Sequence, residues 1–368
     1  MERDIETRCI HLDEADNRFE NYGAISFPIY QTATYAHMGV GNGTGYDYSR
    51  LQNPTREHLE KIMASLEHGY DALAYSSGMA AISALMELFK PGDHIIADAD
   101  LYGGSIRLFD NISVKNGISF TRINCSQDDI TQYIQENTKA IYIETPTNPM
   151  MNVSDIAGIS AIAKANGLLL IVDNTFLSPY LQNPIDLGAD IVVHSGTKYL
   201  GGHNDTIAGF IVVADEELSE KFRFNIKTTG AGLAPFDSWL IIRGIKTLAL
   251  RMDRAQENAS KIVDWLLAND DVTEVIYPGL ESHPGHSIMK KQSRGFGAMV
   301  TFKVTSKELA YKILEKVRLI KFAESLGGVE TLITYPDSDA QGEGADLSRR
   351  GNGITDCTLR LSVGIESG

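Results

Sequence analysis

The chain has 368 residues, 43% hydrophobic and 22% charged, enough to bury a sizeable core and to predict two domains. Its formal net charge of -15 argues against nucleic acid or an anionic membrane surface as the main partner. Cys9, Cys125 and Cys357 show no metal-type or CxxC spacing and suit a reducing compartment. With a charged N-terminus and no long apolar run, they predict a soluble, cytoplasmic protein.

Residues 1–52 have little apolar periodicity. Pro28, the glycines between Gly39 and Gly45, and Tyr46-Asp-Tyr-Ser-Arg50 read as an extended arm, and an arm that cannot pack on itself usually lies on something else, often a second subunit. Those glycines do not match a dinucleotide fingerprint, and the chain has no Walker A motif. A helix is predicted from Asn53, with Pro54 at its start and Leu59, Ile62, Met63 and Leu66 at helical spacing. A second follows Ser76 and Ser77 and opens at Gly78-Met79. Its first N–H groups would offer a seat for a phosphate, although a capped core helix reads the same way.

Candidate strands at 95–97, 118–123, 140–144, 168–173, 191–194 and 207–213 alternate with helical patterns that include 128–137 and 154–166. The alternation predicts an α/β fold with a largely parallel, doubly wound sheet. The pattern breaks near 230–236, and a long helical stretch over 237–269 leads into a smaller α+β domain. The expected division is an arm at 1–52, a large domain at 53–236, and a linking helix with a small domain at 237–368. Residues 338–352 read as a polar surface loop.

Lys198 falls just past the strand at 191–194, between Ser195 and Thr197 on one side and Gly201-Gly202 on the other. Ligands of open α/β sheets bind outside the carboxyl ends of the strands. A lysine there, beside hydroxyl residues, suits an amine that forms a Schiff base with an aldehyde cofactor. Asp173 ends the apolar strand before it and could keep a pyridine nitrogen protonated, although an aspartate at a strand end also serves as a turn residue.

Asp173-Asn-Thr-Phe176 and His194-Ser-Gly-Thr-Lys-Tyr-Leu-Gly-Gly-His-Asn-Asp205 resemble the pyridoxal-phosphate enzymes of cysteine and methionine metabolism. Six further segments match in order: Tyr48 to Arg56, Ser76 to Ala81, Leu101 to Arg107, Glu144 to Pro149, Glu324 to Glu330 and Leu359 to Gly364. The resemblance implies a fold type I pyridoxal-phosphate enzyme, built as a homotetramer of dimers that share active sites. It further implies that Lys198 binds the cofactor and shuttles protons, that Asp173 pairs with the ring nitrogen, and that Tyr102 stacks on the ring. Gly78, Met79, Ser195 and Thr197 would hold the phosphate, with Tyr48 and Arg50 reaching the phosphate of the neighbouring subunit. Arg360, Ser325 and Asn148 would hold the substrate carboxylate, and Glu324 and Arg107 would meet its distal end.

The activity so implied is C–S bond chemistry on sulfur amino acids, of the cystathionine γ-synthase or γ-lyase type. Cystathionine β-lyase and methionine or homocysteine γ-lyase are the alternatives. Methionine γ-lyases usually carry a cysteine shortly after the stacking tyrosine, where this chain has Gly103, Gly104 and Ser105. An aminotransferase is disfavoured by the arm and by the 101–107 segment. Two departures stand out. The 337–350 loop lacks the Thr-His segment of the family, which leaves a catalytically impaired partner or regulator as a reading of another class. The chain also ends at Gly368, where the family continues into a further helix, so either the chain is truncated or the small domain is less covered.

Overall fold

In the computed structural model, residues 3–12, 20–336 and 353–368 are described. Strands β1 (Asp71–Tyr75), β2 (His94–Asp98), β3 (Ser119–Ile123), β4 (Thr138–Glu144), β5 (Leu169–Asp173), β6 (Ile191–Ser195) and β7 (Gly209–Val213) form one sheet in the order β1-β7-β6-β5-β4-β2-β3. The five strands β2 to β6 are mutually parallel, whereas β7 runs antiparallel between β1 and β6. Neighbouring residues of β6 serve opposite faces. Val192 packs with Leu59, Met63 and Ile159 on one side, while Ile191 and Val193 pack with Ile82, Leu85 and Phe222 on the other. Helices cover both faces, which is why these strands read as nearly continuous apolar runs.

A second sheet holds β8 (Val272–Ile276), β9 (Met299–Val304), β10 (Lys321–Phe322), β11 (Leu332–Thr334) and β12 (Thr358–Ser362), in the order β10-β11-β12-β9-β8. Only β10 and β11 pair in parallel. Ala255, Ala259, Val263 and Leu266 of the long helix Leu248–Leu267 pack against this sheet at helical spacing.

Two expected elements differ from what forms. The helical stretch over 237–269 is two helices, Pro235–Ile245 and Leu248–Leu267. The Gly244 carbonyl accepts from the Thr247 N–H at 3.1 Å and from the Arg251 guanidinium at 2.8 Å, so it is diverted from a continuing helical ladder. A Cβ on Gly244 would lie 2.3 Å from the Gly201 carbonyl, so glycine lets this helix end press on the loop after Lys198. The 128–137 stretch contains only a short 3₁₀ turn at Ile130–Tyr133. There the Asp129 carboxylate takes the N–H and hydroxyl of Thr131, local bonds that compete with a longer helix.

The arm is anchored at its end. Asn53 caps the helix Pro54–Glu67 by accepting from the Thr55 and Arg56 N–H groups. The Arg56 guanidinium donates to the Ser49 and Leu51 carbonyls, each at 2.9 Å. Upstream, Tyr22, Ile25, Met38 and Val40 are almost wholly exposed in the single chain. Among the described residues, no helix is long and apolar enough to cross a membrane.

Candidate active site

A cavity of about 520 Å³ opens at the carboxyl ends of β4, β5 and β6. It brings together Lys198, Asp173, Tyr102, Gly78, Met79, Ser195 and Thr197 from the first sheet and its connections. Asn148, Arg107, Glu324, Ser325 and Arg360 line it as well. Tyr48 and Arg50 do not. The Arg50 guanidinium lies 5.5 Å from the Tyr48 ring centroid and donates to the Lys227 carbonyl, outside this cavity.

The turn that carries Lys198 is closed by backbone bonds. Gly201 N–H donates to the Gly196 carbonyl at 2.9 Å, and Gly202 N–H donates to the Lys198 carbonyl at 2.8 Å. The Lys198 amine lies 3.0 Å from the Ser325 hydroxyl. Burial, helped by the Arg360 charge and opposed by Glu324, pushes that amine down to about 8. Ser325 itself has φ +134°, outside the usual range for a side-chain-bearing residue. Such a backbone costs on the order of 1–3 kcal/mol and persists where its surroundings over-determine it.

Asp173 ends β5 and is joined to β6 through one threonine. Thr175 gives its N–H and hydroxyl to the Asp173 Oδ1, at 3.0 and 2.5 Å, and its oxygen accepts the Ser195 N–H at 2.9 Å. Burial pushes the Asp173 carboxyl up, against these Thr175 bonds. Glu144 ends β4 in register with Asp173. Burial and the Asp173 charge hold the Glu144 carboxyl well above the usual range, and it accepts the Tyr102 N–H at 2.9 Å. The Tyr102 ring lies over Gly104, where a Cβ would come within 2.4 Å of it.

The helix Gly78–Met86 starts at the cavity wall. Its Ser77 cap accepts from the Ala80 N–H at 3.0 Å, and the Gly78 and Met79 N–H groups belong to the first turn, which has no intrahelical acceptors. The Thr197 hydroxyl is engaged with Ala208, donating to its carbonyl at 3.3 Å and accepting its N–H at 3.1 Å. Across the cavity, β12 supplies Arg360. Its guanidinium donates to Asn148 Oδ1 at 2.6 Å, to the Ser325 carbonyl at 3.2 Å and to the Thr334 hydroxyl at 3.2 Å.

An amine with a depressed pKa, a buried carboxyl one strand away, a helix start and a fixed guanidinium in one cavity are the parts of a fold type I pyridoxal-phosphate enzyme. The chain belongs to the Cys/Met metabolism PLP-dependent enzyme family, whose match covers residues 6–368. It is 48% identical over 364 residues to a cystathionine beta-lyase of Lactococcus lactis subsp. cremoris, covering 99% of this chain and 95% of that one. It is 48% identical over 348 residues to a cystathionine gamma-lyase of Bacillus subtilis, covering 94% and 92%. Among solved structures, a cystathionine gamma synthase from Xanthomonas oryzae pv. oryzae in complex with cystathionine matches with TM-score 0.95 and 38% identity, covering 100% and 95%. The protein is therefore a pyridoxal-phosphate-dependent trans-sulfuration enzyme.

Two site residues escaped the sequence reading of roles. Thr175 follows Asp173 by two positions at a strand end, a spacing at which a hydroxyl can bond back to a carboxylate. Glu144 stood in a matched segment, but its partnership with Asp173 depends on the β4–β5 register. The departure at 337–350 lies outside the described residues, whereas Pro336 and Ile354 line the cavity.

Proposed function

We propose that this enzyme makes or breaks the C–S bond of cystathionine, by γ-replacement or γ-elimination, with β-elimination and methionine or homocysteine γ-elimination as the alternatives. The observation that carries the reading is the single cavity joining Lys198, Asp173 and Arg360. Its donor set fits pyridoxal phosphate: an amine for the aldehyde carbon, a carboxyl for the ring nitrogen, and first-turn amides for the phosphate. In this reading Lys198 holds the cofactor covalently, Asp173 faces its ring nitrogen, and Tyr102 stacks on the ring. The Gly78 and Met79 amides hold the phosphate with Ser195 and Thr197, the Thr197 hydroxyl turning away from Ala208. When bound, the cofactor supplies an electron sink for negative charge at the substrate α-carbon.

The protein's own groups do the rest. Arg360, fixed by Asn148 and the Ser325 carbonyl, grips the substrate α-carboxylate, and Ser325 and Asn148 assist. While substrate occupies the site and the Lys198 amine is free, its Nζ, pushed down to about 8, accepts a proton from one substrate carbon and returns it to another. Glu324 and Arg107 face the same cavity and meet the charged distal end of the substrate. This placement favours a substrate charged at both ends, as cystathionine is, over methionine.

The exposed apolar residues of the arm, Met38 and Val40 among them, support a homo-oligomer in which the arm covers a second copy. Tyr48 and Arg50 then serve the phosphate of the partner's site, and pairs of such dimers form a tetramer. The net charge of -15 and the three free cysteines support a cytoplasmic location. A direct test is spectral. The purified protein should show the visible band of bound cofactor, and Lys198→Ala should abolish it. A wild-type protein that stays colourless after incubation with pyridoxal phosphate contradicts the reading.

A further inference from the structure

Behind the cavity, on the opposite face of the large sheet, lies a set of buried polar side chains that none of the roles above uses. At its centre is Glu67, the last residue of the helix Pro54–Glu67 and fully buried. Its Oε1 pairs with His194 Nε2 at 2.5 Å and accepts from the Asn174 amide at 2.8 Å. Its Oε2 takes a longer bond of 3.4 Å from the Asn183 amide. The Asn174 amide also donates to the Gln182 carbonyl at 2.8 Å. Gln182 returns its own amide to Asn174 Oδ1 at 3.0 Å and to the Thr145 carbonyl at 3.2 Å.

The sequence positions give this cluster its meaning. Thr145 follows Glu144 at the end of β4, Asn174 follows Asp173 at the end of β5, and His194 precedes Ser195 at the end of β6. Alternation along a strand turns His194 away from the cavity that Val193 and Ser195 face. One buried carboxylate therefore ties together the ends of β5 and β6, and through Gln182 the end of β4. A fully buried carboxylate is costly unless its oxygens are hydrogen-bonded, and its donors are costly to orphan. These ends carry Asp173 and the turn that leads to Lys198.

We propose that Glu67, with His194 as its partner, is a positioning residue of the cofactor site, setting the spacing between Asp173 and the Ser195–Lys198 turn. The proposal rests on the assignment of Asp173 and Lys198 to the cofactor. Oε1 does the holding, so a neutral side chain of the same shape serves, and one that cannot accept does not.

The test measures the dissociation constant for pyridoxal phosphate and the circular dichroism of its visible band in Glu67→Gln and Glu67→Leu, together with Tm. Glu67→Gln should keep the affinity within about threefold, and Glu67→Leu, which orphans its donors, should weaken it about tenfold or more and change the dichroism. Asn183→Ala serves as the control, because Asn183 contacts Glu67 without touching a strand end. It should lower Tm and leave affinity and dichroism unchanged. If Glu67→Leu does not fold, Asn174→Ala is read in its place, with a weakening of at least about threefold, since it removes one of the two Oε1 bonds. Wild-type affinity and dichroism in Glu67→Leu, or in Asn174→Ala where that variant is read, overturn the proposal whatever happens to Tm. An affinity lost equally in Glu67→Gln and Glu67→Leu also overturns it. Loss of the band in Lys198→Ala is a separate result, and its absence would instead count against the assignment of the cofactor lysine.

Discussion

Glu144 and Asp173 stand in register at the ends of neighbouring parallel strands, both buried, and Glu144 also accepts the Tyr102 N–H. Two carboxyls in that position cannot both ionise cheaply. Burial and Asp173 hold Glu144 well above its ordinary value of 4.5, so the folded state keeps a proton that the unfolded state releases. A higher folded pKa of this kind means that stability falls as pH rises above the unfolded value. Glu144→Gln keeps an acceptor for Tyr102 and removes the titration. In cofactor-free protein, the Tm of Glu144→Gln minus that of wild type should therefore increase as pH rises above 4.5, measured by calorimetry from pH 5 to 8. Glu144→Ala, which orphans the Tyr102 N–H, should lower kcat/KM about tenfold.

Lys198 titrates at about 8 rather than 10.5. At pH 8 about half of it is free amine, whereas an ordinary lysine would be roughly 0.3% free amine there. Recombination of cofactor-free protein with pyridoxal phosphate should therefore rise with pH and level off just above 8. Stopped-flow absorbance would read it, and a rate that keeps climbing towards pH 10.5 would point to an unperturbed amine.

The guanidinium of Arg360 is oriented by Asn148, Ser325 and Thr334. A lysine in its place cannot make the planar, two-toothed grip on a carboxylate. Arg360→Lys should raise KM for the amino-acid substrate about tenfold or more while leaving the visible cofactor band in place. Steady-state kinetics and an absorption spectrum of the same preparation distinguish this from a loss of cofactor.

Tyr48 and Arg50 lie outside the cavity of their own chain. If they complete the partner's site, Arg50→Ala and Lys198→Ala should complement each other. In a mixed dimer one site carries both changes and the other carries neither. Co-expressed subunits should then regain activity that neither variant has alone. Strictly additive activities would place Arg50 in its own chain's site or in none.

Much of the fold was legible because parallel strands buried on both faces leave unmistakable apolar runs, as at 168–173 and 191–194. The end of the sheet at which the cavity opens was legible too, because Asp173 and Lys198 sit where those runs stop. What stayed hidden depends on register and on distant packing. β1 is five residues long and is not among the candidate strands. β7 gives no sign in sequence of running antiparallel. The break at 246–247 comes from the Gly244 carbonyl meeting Thr247 and Arg251, which periodicity does not report. Glu67 and His194 are 127 positions apart, and only the fold brings them together.

The central claim, C–S bond chemistry on cystathionine through Lys198, is tested most directly by identifying products. The enzyme is incubated with cystathionine alone and, separately, with an acyl-homoserine plus cysteine, and keto acids and thioethers are determined by mass spectrometry. Formation of 2-oxobutanoate or of new cystathionine is predicted, with pyruvate from cystathionine marking the β-elimination alternative, and Lys198→Ala should form none of these. A cofactor-loaded wild-type enzyme that yields no keto acid and no cystathionine would contradict the claim.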